Sequence, residues 1–203
     1  MPPAIAAIVD GLAGEGIAIV AKFLPEVTIA ALRAEALRRD AAGLLTAAGT
    51  GRGSGRAVRE DVRGDRVGWI DASDAVPAER ELMAALEALR VAVNRELMLG
   101  LWRYEGHYAL YPPGARYARH VDRFRDDDAR VLSLVLYLNA GWRAADGGAL
   151  RIARVGGASR DVLPRGGMLV TFLAAEFEHE VLPASRSRVA VTGWYRARDA
   201  TIQ

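Results

Sequence analysis

The sequence predicts a mainly β protein with flanking helices, in which a sandwich or barrel, of which the jelly roll is one form, packs against an N-terminal helical half. Two observations support this fold class. Helical periodicity is confined to about residues 1–100, whereas about residues 101–196 hold eight short strand patterns separated by Gly, Pro, Asn and Asp turns. Eight short strands in one stretch are typical of a sandwich or barrel. No linker-like segment interrupts the 203 residues, so residues 1–203 are predicted to form a single domain.

The first half is predicted to contain three helices and two strands. Apolar residues recur at helical spacing over residues 3–13 and 77–98, and Pro25 opens a helix that ends before Gly43. Buried strands are predicted at residues 16–20 and 67–70. Between them, residues 49–66 are mostly glycine and charged residues, which predicts a long exposed loop.

The second half is predicted to contain only strands. Their apolar runs are short and are bounded by turn residues, as in an antiparallel barrel. The predicted strands cover residues 106–111, 117–121, 130–138, 149–154, 160–163, 168–173, 179–182 and 188–196.

Composition excludes several classes of function. The chain has no cysteine, which excludes disulfides, iron–sulfur clusters and thiolate zinc sites. The 27 basic residues nearly balance the 25 acidic ones, and no dense basic tract predicts a nucleic-acid partner. No uncharged run approaches the roughly 20 residues of a membrane-spanning helix, and no basic residue precedes Lys22, as a signal peptide would require. A cytoplasmic protein without a membrane partner is therefore expected.

Two of the three histidines indicate a metal site. His120 and Asp122 are two residues apart at a strand edge, so their side chains project to the same side. His179 starts a later predicted strand. Two histidines and one carboxylate on one face of an ion are the ligands of non-haem Fe(II) oxygenases. From spacing alone, the alternative of surface or hydrogen-bonded core histidines stays open.

Arg188 and His107 also occupy strand positions. Arg188 lies at an inward position among small and apolar residues, where an unpaired guanidinium is costly. A bound carboxylate would satisfy it through a bidentate contact, and an internal salt bridge to Glu176 or Glu180 is the alternative.

His107 is interpreted as a hydrogen-bonded structural residue, and the acidic run at residues 126–128 as a solvated turn.

Several segments resemble a known family, in the same order and at close spacing. They are Tyr111-Pro112, Tyr117-Ala118-Arg119-His120-Val121-Asp122, Tyr137-Leu138-Asn139, Gly147-Gly148-Ala149-Leu150-Arg151, His179-Glu180-Val181, Arg188 and Trp194-Tyr195. Together they resemble the 2-oxoglutarate/Fe(II)-dependent dioxygenases of the prolyl 4-hydroxylase type. Within these, the chain is similar to the hypoxia-inducible-factor prolyl hydroxylases and their bacterial relatives. The resemblance implies a double-stranded β-helix.

The resemblance also implies residue roles and cofactors. It makes His120, Asp122 and His179 the iron ligands. It assigns Arg188 and Tyr137 to the distal carboxylate of 2-oxoglutarate, and Tyr111 to the wall of the co-substrate pocket. The implied cofactor and co-substrates are Fe(II), 2-oxoglutarate and O2, with ascorbate as a possible reductant.

The function that follows is hydroxylation of a prolyl residue, at C4, with release of succinate and CO2. The implied partner is a protein or peptide that contains proline, and a translation factor is one such protein. One alternative is an oxygenase of a free amino acid or other small molecule. Nucleic-acid dealkylation is disfavoured, because Trp194 stands where repair dioxygenases carry a second arginine. From another class, a non-catalytic jelly-roll binding module is the alternative.

Four residues are expected to contact the protein substrate. The segment from about Gly51 to Arg66 is predicted to be a mobile lid over the substrate. Arg63 would hydrogen-bond the carbonyl groups of the peptide, and Asp65 would pair with Arg130 to hold the lid closed. Trp194 would form an apolar wall for the proline ring.

Overall fold

A computed structural model describes residues 1–50, 57–59, 62–122 and 129–198 of the chain. It contains three α-helices, α1 (Pro3–Glu15), α2 (Glu26–Ala41) and α3 (Pro77–Leu97), and two single-turn 3-10 helices, Ala72–Asp74 and Ala144–Asp146. Over these described ranges there are thirteen strands. They are β1 (Ile17–Val20), β2 (Thr46–Ala47), β3 (Gly49–Thr50), β4 (Ala57–Val58), β5 (Arg66–Trp69), β6 (Arg103–Tyr111), β7 (Tyr117–His120), β8 (Arg130–Tyr137), β9 (Leu150–Arg154), β10 (Arg160–Val162), β11 (Leu169–Leu173), β12 (Phe177–Val181) and β13 (Arg188–Arg196).

The three helices begin and end where the sequence predicts, within a few residues. Pro3 and Pro77 each occupy the first turn of a helix, where a missing backbone N–H is harmless. Gly16 ends α1 with a φ of 71°, a left-handed conformation that glycine adopts without strain. The apolar stripe of α3 is buried at Leu82, Leu86, Leu89 and Val93.

All eight strands predicted for the second half are present, as β6 to β13. Seven begin or end one to three residues from the predicted bound, and β13 matches it fully. The predicted loop over residues 49–66 needs a correction. Strands β3 and β4 form a small hairpin within it, and Arg63 makes an antiparallel bridge with Tyr117. Residues 51–56 and 60–61 of the predicted lid, and the acidic run at 126–128, lie outside the described residues.

Two sheets face each other and form the double-stranded β-helix. The larger has the order β1-β11-β8-β13-β6-β5-β2, and the smaller has the order β10-β9-β12-β7. Strand β13 lies between β6 and β8 in the larger sheet. The smaller sheet pairs β12 with β7 through His179 and His120. This pairing brings the two histidines of the sequence motif onto adjacent strands.

Each face of the larger sheet contributes to a different hydrophobic core. One core lies between the sheet and the helices, with Ile8, Leu32 and Leu89 among its fully buried members. The other lies between the two sheets and includes Tyr137 and Ile152. Successive strand residues alternate between these cores, because side chains point to opposite faces of a sheet. None of the described helices is both long and apolar enough to cross a membrane.

Candidate active site

His120, Asp122 and His179 form a compact cluster, called here the ligand triad. One potential ligand atom from each lies within 4.8 Å of the others. Nε2 of His120 is 3.6 Å from Oδ1 of Asp122, and Nε2 of His179 is 3.6 Å from Oδ2. The triad therefore has the geometry predicted from the His-x-Asp spacing and the later histidine.

Hydrogen bonds orient the first two members of the triad. Nδ1 of His120 lies 2.8 Å from the carbonyl oxygen of Ala118. A carbonyl only accepts, so Nδ1 donates this hydrogen bond and Nε2 is the ring atom that faces Asp122. The hydroxyl of Ser133 donates to Oδ2 of Asp122 at 2.7 Å. Partners of this kind fix ring orientation and ligand basicity in metal sites.

Burial and charge keep Asp122 and His179 in their metal-binding protonation states. Burial lowers the pKa of His179 to about 4, so its ring is neutral at neutral pH. Burial alone would raise the pKa of Asp122, but the adjacent His179 and His120 lower it by more. The net result is a carboxyl pKa below its usual range. A carboxylate and neutral imidazoles are the forms that bind metal ions.

Aromatic rings enclose the triad. The ring of Tyr117 stacks on His120 with centroids 3.7 Å apart and an angle of 21° between planes. Phe172 meets His179 edge-on at 5.0 Å. The guanidinium of Arg63 lies 4.6 Å above the Tyr117 ring. Sequence reasoning missed Tyr117 as a site residue, although it lies three positions before His120.

Arg188 is buried beside two tyrosines at one end of the same cavity. It is 2% exposed, and its guanidinium carbon lies 5.1 Å from the Tyr111 ring and 5.0 Å from the Tyr137 ring. Nε of Arg188 and the hydroxyl of Tyr137 have no hydrogen-bond partner among the described residues. The alternative salt bridges are not formed, since Glu176 pairs with Arg154 and Glu180 lies beside Arg119 and Arg151.

The ligand triad and Arg188 line one cavity of about 540 Å³. Its donor set of two imidazoles and one carboxylate fits Fe(II), because it leaves one side of an ion open. Elsewhere in the same cavity, the buried Arg188 guanidinium and the Tyr137 hydroxyl fit a carboxylate, because both can donate hydrogen bonds to its oxygens. Burial raises the pKa of Tyr137, so its hydroxyl stays protonated and can donate. The residues present therefore fit a metal ion and a dicarboxylate side by side.

Three of the four predicted substrate residues line the cavity, and Asp65 is not among its lining residues. The three are Arg63, Arg130 and Trp194. The predicted pair between Asp65 and Arg130 is wrong. Asp65 is bound by Arg63, whose Nε and Nη2 donate to its two carboxylate oxygens at 2.6 and 2.9 Å.

Geometry explains the correction. Arg63 is two residues from Asp65, and its planar fork matches both oxygens at once. The guanidinium of Arg130 instead lies 3.5 Å above the Trp194 ring, and its Nε is 3.6 Å from Glu105. Because Asp65 occupies two nitrogens of Arg63, Arg63 has fewer donors for a peptide than expected.

No described residue supports the interpretation of His107 as a hydrogen-bonded structural residue. His107 is 2% exposed, yet neither ring nitrogen has a hydrogen-bond partner within the described part of the chain. It lines the cavity between Trp69 and Trp194. The alternation of β6 could have shown this, because His107 shares a face with Ala109 and Tyr111.

Comparison with known proteins agrees with this geometry. Residues 106–196 match the family model of the 2OG-Fe(II) oxygenase superfamily. The chain is 34% identical to human Egl nine homolog 1 over 145 residues, 67% of this chain and 33% of that protein. The chain thus spans about a third of the length of this curated relative.

Solved structures match over nearly the whole chain. A Pseudomonas putida prolyl-4-hydroxylase is 50% identical with a TM-score of 0.88, and the match covers 96% of this chain and 100% of that one. A prolyl hydroxylase in complex with a hypoxia-inducible-factor peptide fragment, from Trichoplax adhaerens, is 25% identical with a TM-score of 0.87. That match covers 98% of this chain and 93% of the other. The chain therefore belongs to the 2OG-Fe(II) oxygenase superfamily, whose cofactor is Fe(II) and whose co-substrates are 2-oxoglutarate and dioxygen.

Proposed function

We propose that this chain is a prolyl 4-hydroxylase that acts on a proline residue of a protein. The observation that carries the proposal is the 50% identity to the solved Pseudomonas putida prolyl-4-hydroxylase, in a match that covers 100% of that chain. The ligand triad and Arg188 in one cavity support it. When bound, Fe(II), 2-oxoglutarate and dioxygen supply an oxidative decarboxylation that yields succinate and CO2 and inserts one oxygen atom into a substrate C–H bond.

The ligand triad would bind the metal, and neighbouring hydrogen-bond partners would orient two of the triad side chains. Ala118 fixes the tautomer of His120, and Ser133 fixes the rotation of the Asp122 carboxylate. Three protein ligands on one side of the ion leave the other side for 2-oxoglutarate and dioxygen. Because Asp122 and His179 are nearly buried, the reacting centre is shielded from bulk water, which limits side reactions.

Arg188 and Tyr137 would bind the distal carboxylate of 2-oxoglutarate. Both donors are buried and lack partners among the described side chains, so a carboxylate would satisfy them. Tyr111, whose ring lies beside the Arg188 guanidinium, would form the wall of this pocket. This arrangement fixes one end of the co-substrate and so directs its other end toward the ligand triad.

The substrate would enter at the end of the cavity opposite Arg188. Trp194 and Trp69 line that end and offer an apolar wall for a proline ring. Arg63 and Arg130 line the same cavity and would contact the substrate peptide. Three further points stay predictions. They are the role of residues 51–66 as a lid, a translation factor as the substrate, and a cytoplasmic location, which the cysteine-free sequence favours.

Mass spectrometry of whole proteomes tests the proposal. Proteins are compared from cells that carry the enzyme, cells that lack it, and cells that carry His179→Ala. We expect a one-oxygen mass gain on proline in at least one protein, present only with the active enzyme, and fragment ions that place the oxygen at C4. A purified enzyme that consumes 2-oxoglutarate with a free amino acid, while no protein gains oxygen on proline, would overturn the proposal.

A further inference from the structure

His107 stands out as a buried polar residue that the proposed chemistry does not use. It lies on β6 opposite Thr192 of β13 and Trp69 of β5. Its side chain shares a sheet face with Ala109 and Tyr111, which belong to the core between the sheets. His107 therefore faces the inside of the barrel and lines the cavity that holds the ligand triad.

Both ring nitrogens of His107 lack a hydrogen-bond partner among the described residues. A neutral imidazole carries one N–H donor and one acceptor nitrogen. A buried polar group that is left unpaired destabilises the folded state. Burial lowers the pKa of His107 to about 3, so the ring is neutral at neutral pH and does not relieve this destabilisation by ionising. An apolar side chain of similar size would fill the same space without leaving a polar atom unpaired.

The indole of Trp194 lies beside His107. The rings of His107 and Trp194 have centroids 5.6 Å apart, and the Trp194 N–H lies next to the Asp122 carboxylate, whose pKa it helps to lower. On the other side, the half-exposed ring of Trp69 meets His107 edge-on at 5.0 Å. His107 thus offers unsatisfied hydrogen-bonding atoms between two indole rings that line the cavity.

That end is not the position of 2-oxoglutarate. Arg188 pairs with Tyr111, whereas His107 pairs with Thr192, four residues further along β13. Four residues of a strand span about 13 Å. A five-carbon dicarboxylate held by Arg188 is too short to reach His107. The co-substrate is therefore excluded as the partner of His107, and the protein substrate is the ligand that the proposed function supplies there.

We propose that His107 is a substrate-positioning residue, which hydrogen-bonds an oxygen atom of the protein substrate next to the target proline. The oxygen that fits is a peptide carbonyl, because a neutral imidazole presents one N–H donor to it. Proline supplies such a carbonyl and no backbone N–H. The inference deepens the proposed prolyl hydroxylation and rests on it.

Three variants at one position test the inference. His107→Leu removes both nitrogens and keeps an apolar side chain. His107→Asn and His107→Gln restore an amide near the positions of Nδ1 and Nε2, respectively. The probe is a diluted lysate of cells that lack the enzyme, in which targeted mass spectrometry follows the initial rate of one-oxygen gain on proline. At low substrate concentration this rate reports kcat/KM.

We expect His107→Leu to reduce kcat/KM about fivefold to tenfold, the loss of one neutral hydrogen bond. One of the two amide variants should regain most of the rate. The affinity for 2-oxoglutarate, measured by calorimetry with Mn²⁺, should change less than about twofold, because His107 lies away from Arg188. The melting temperature of His107→Leu should equal or exceed that of the wild type, since the variant removes unpaired buried atoms.

Two results would overturn the inference. One is a wild-type hydroxylation rate in His107→Leu. The other is an equal loss of rate in all three variants with a lower melting temperature, which would mean that an internal water pairs His107 in a structural role. A wild-type enzyme that hydroxylates no proline in the lysate would instead overturn the proposed function, and the inference with it.

Discussion

The hydroxyl of Ser133 donates a 2.7 Å hydrogen bond to the Oδ2 atom of Asp122. Ser133 is 1% exposed and lies on β8 of the larger sheet, whereas the two histidines of the ligand triad lie on the smaller one. One hydrogen bond therefore links the metal-binding carboxylate to the opposite sheet. The relative position of the two sheets thus becomes part of the geometry of the site.

This contact predicts the effect of Ser133→Ala. The Asp122 carboxylate would lose the partner that holds its rotation, so we expect metal affinity to fall about tenfold to 100-fold. Titration of the metal-free protein with Mn²⁺ measures it. Ser159→Ala, at an exposed turn, is the matched control and should leave the affinity unchanged. Equal affinities in Ser133→Ala and Ser159→Ala would show that the hydrogen bond does not orient the ligand.

Substitutions at Arg188 and Tyr137 should weaken the binding of 2-oxoglutarate to different degrees. Arg188→Ala removes a charge-assisted contact and should reduce affinity at least roughly tenfold. Tyr137→Phe should cost on the order of 1 kcal/mol. Arg188→Lys should bind poorly as well, because lysine lacks the planar fork. Calorimetry with an inert metal measures all three, with the more exposed Arg186→Ala as control, and unchanged affinity in Arg188→Ala would refute the assignment.

The pair of Arg63 and Asp65 should matter for stability. Asp65→Asn would leave the buried Arg63 guanidinium without its counter-ion, which costs about 3–5 kcal/mol of unfolding free energy. Urea denaturation measures the loss. Asp161→Asn breaks the exposed pair with Arg151 and should cost less than about 1 kcal/mol. Similar losses at the two sites would contradict the importance of burial.

Glu35 should make the fold sensitive to acid. Hydrogen bonds from Arg38 lower the pKa of Glu35 to about 2. Burial acts in the opposite direction, and hydrogen bonds from Arg39 add to the lowering. Because the pKa of Glu35 is lower in the folded state than in the unfolded chain, its carboxylate stabilises the fold at pH values above the unfolded pKa. That stability is lost as pH falls from about 4.5 to 2. Since Arg38 is largely exposed, screening reduces the contribution to about 1–2 kcal/mol.

Stability curves at several pH values check the role of Glu35. Glu35→Gln should be less stable than the wild type at pH 7, and the difference should shrink toward pH 2. Glu15→Gln, at an exposed position, should follow the wild-type curve. A constant difference between Glu35→Gln and the wild type across this range would mean that the carboxylate charge does not stabilise the fold.

Local patterns in the sequence predicted the elements whose structure depends on near neighbours. The apolar stripe of α3 and the alternation of β13 predicted their extents, and the His-x-Asp spacing predicted that His120 and Asp122 converge. The Asp65 pairing was predicted wrongly, because a choice between Arg63 and Arg130 depends on three-dimensional distances. Ser133 carries no signal in the sequence, since a lone serine within an apolar strand has many possible partners.

The nine-pair ladder between β6 and β13 carries Tyr111 and Arg188 at one end, and His107 opposite Thr192 at its middle. Side chains alternate across the sheet, so a one-residue shift turns every later side chain to the opposite face. A single inserted residue within either strand would therefore disrupt co-substrate and substrate contacts together. The exposed turn at residues 155–159, between β9 and β10, is a position where the chain can lengthen without that penalty. Engineering of this scaffold should keep the lengths of β6 and β13 fixed and vary such turns instead.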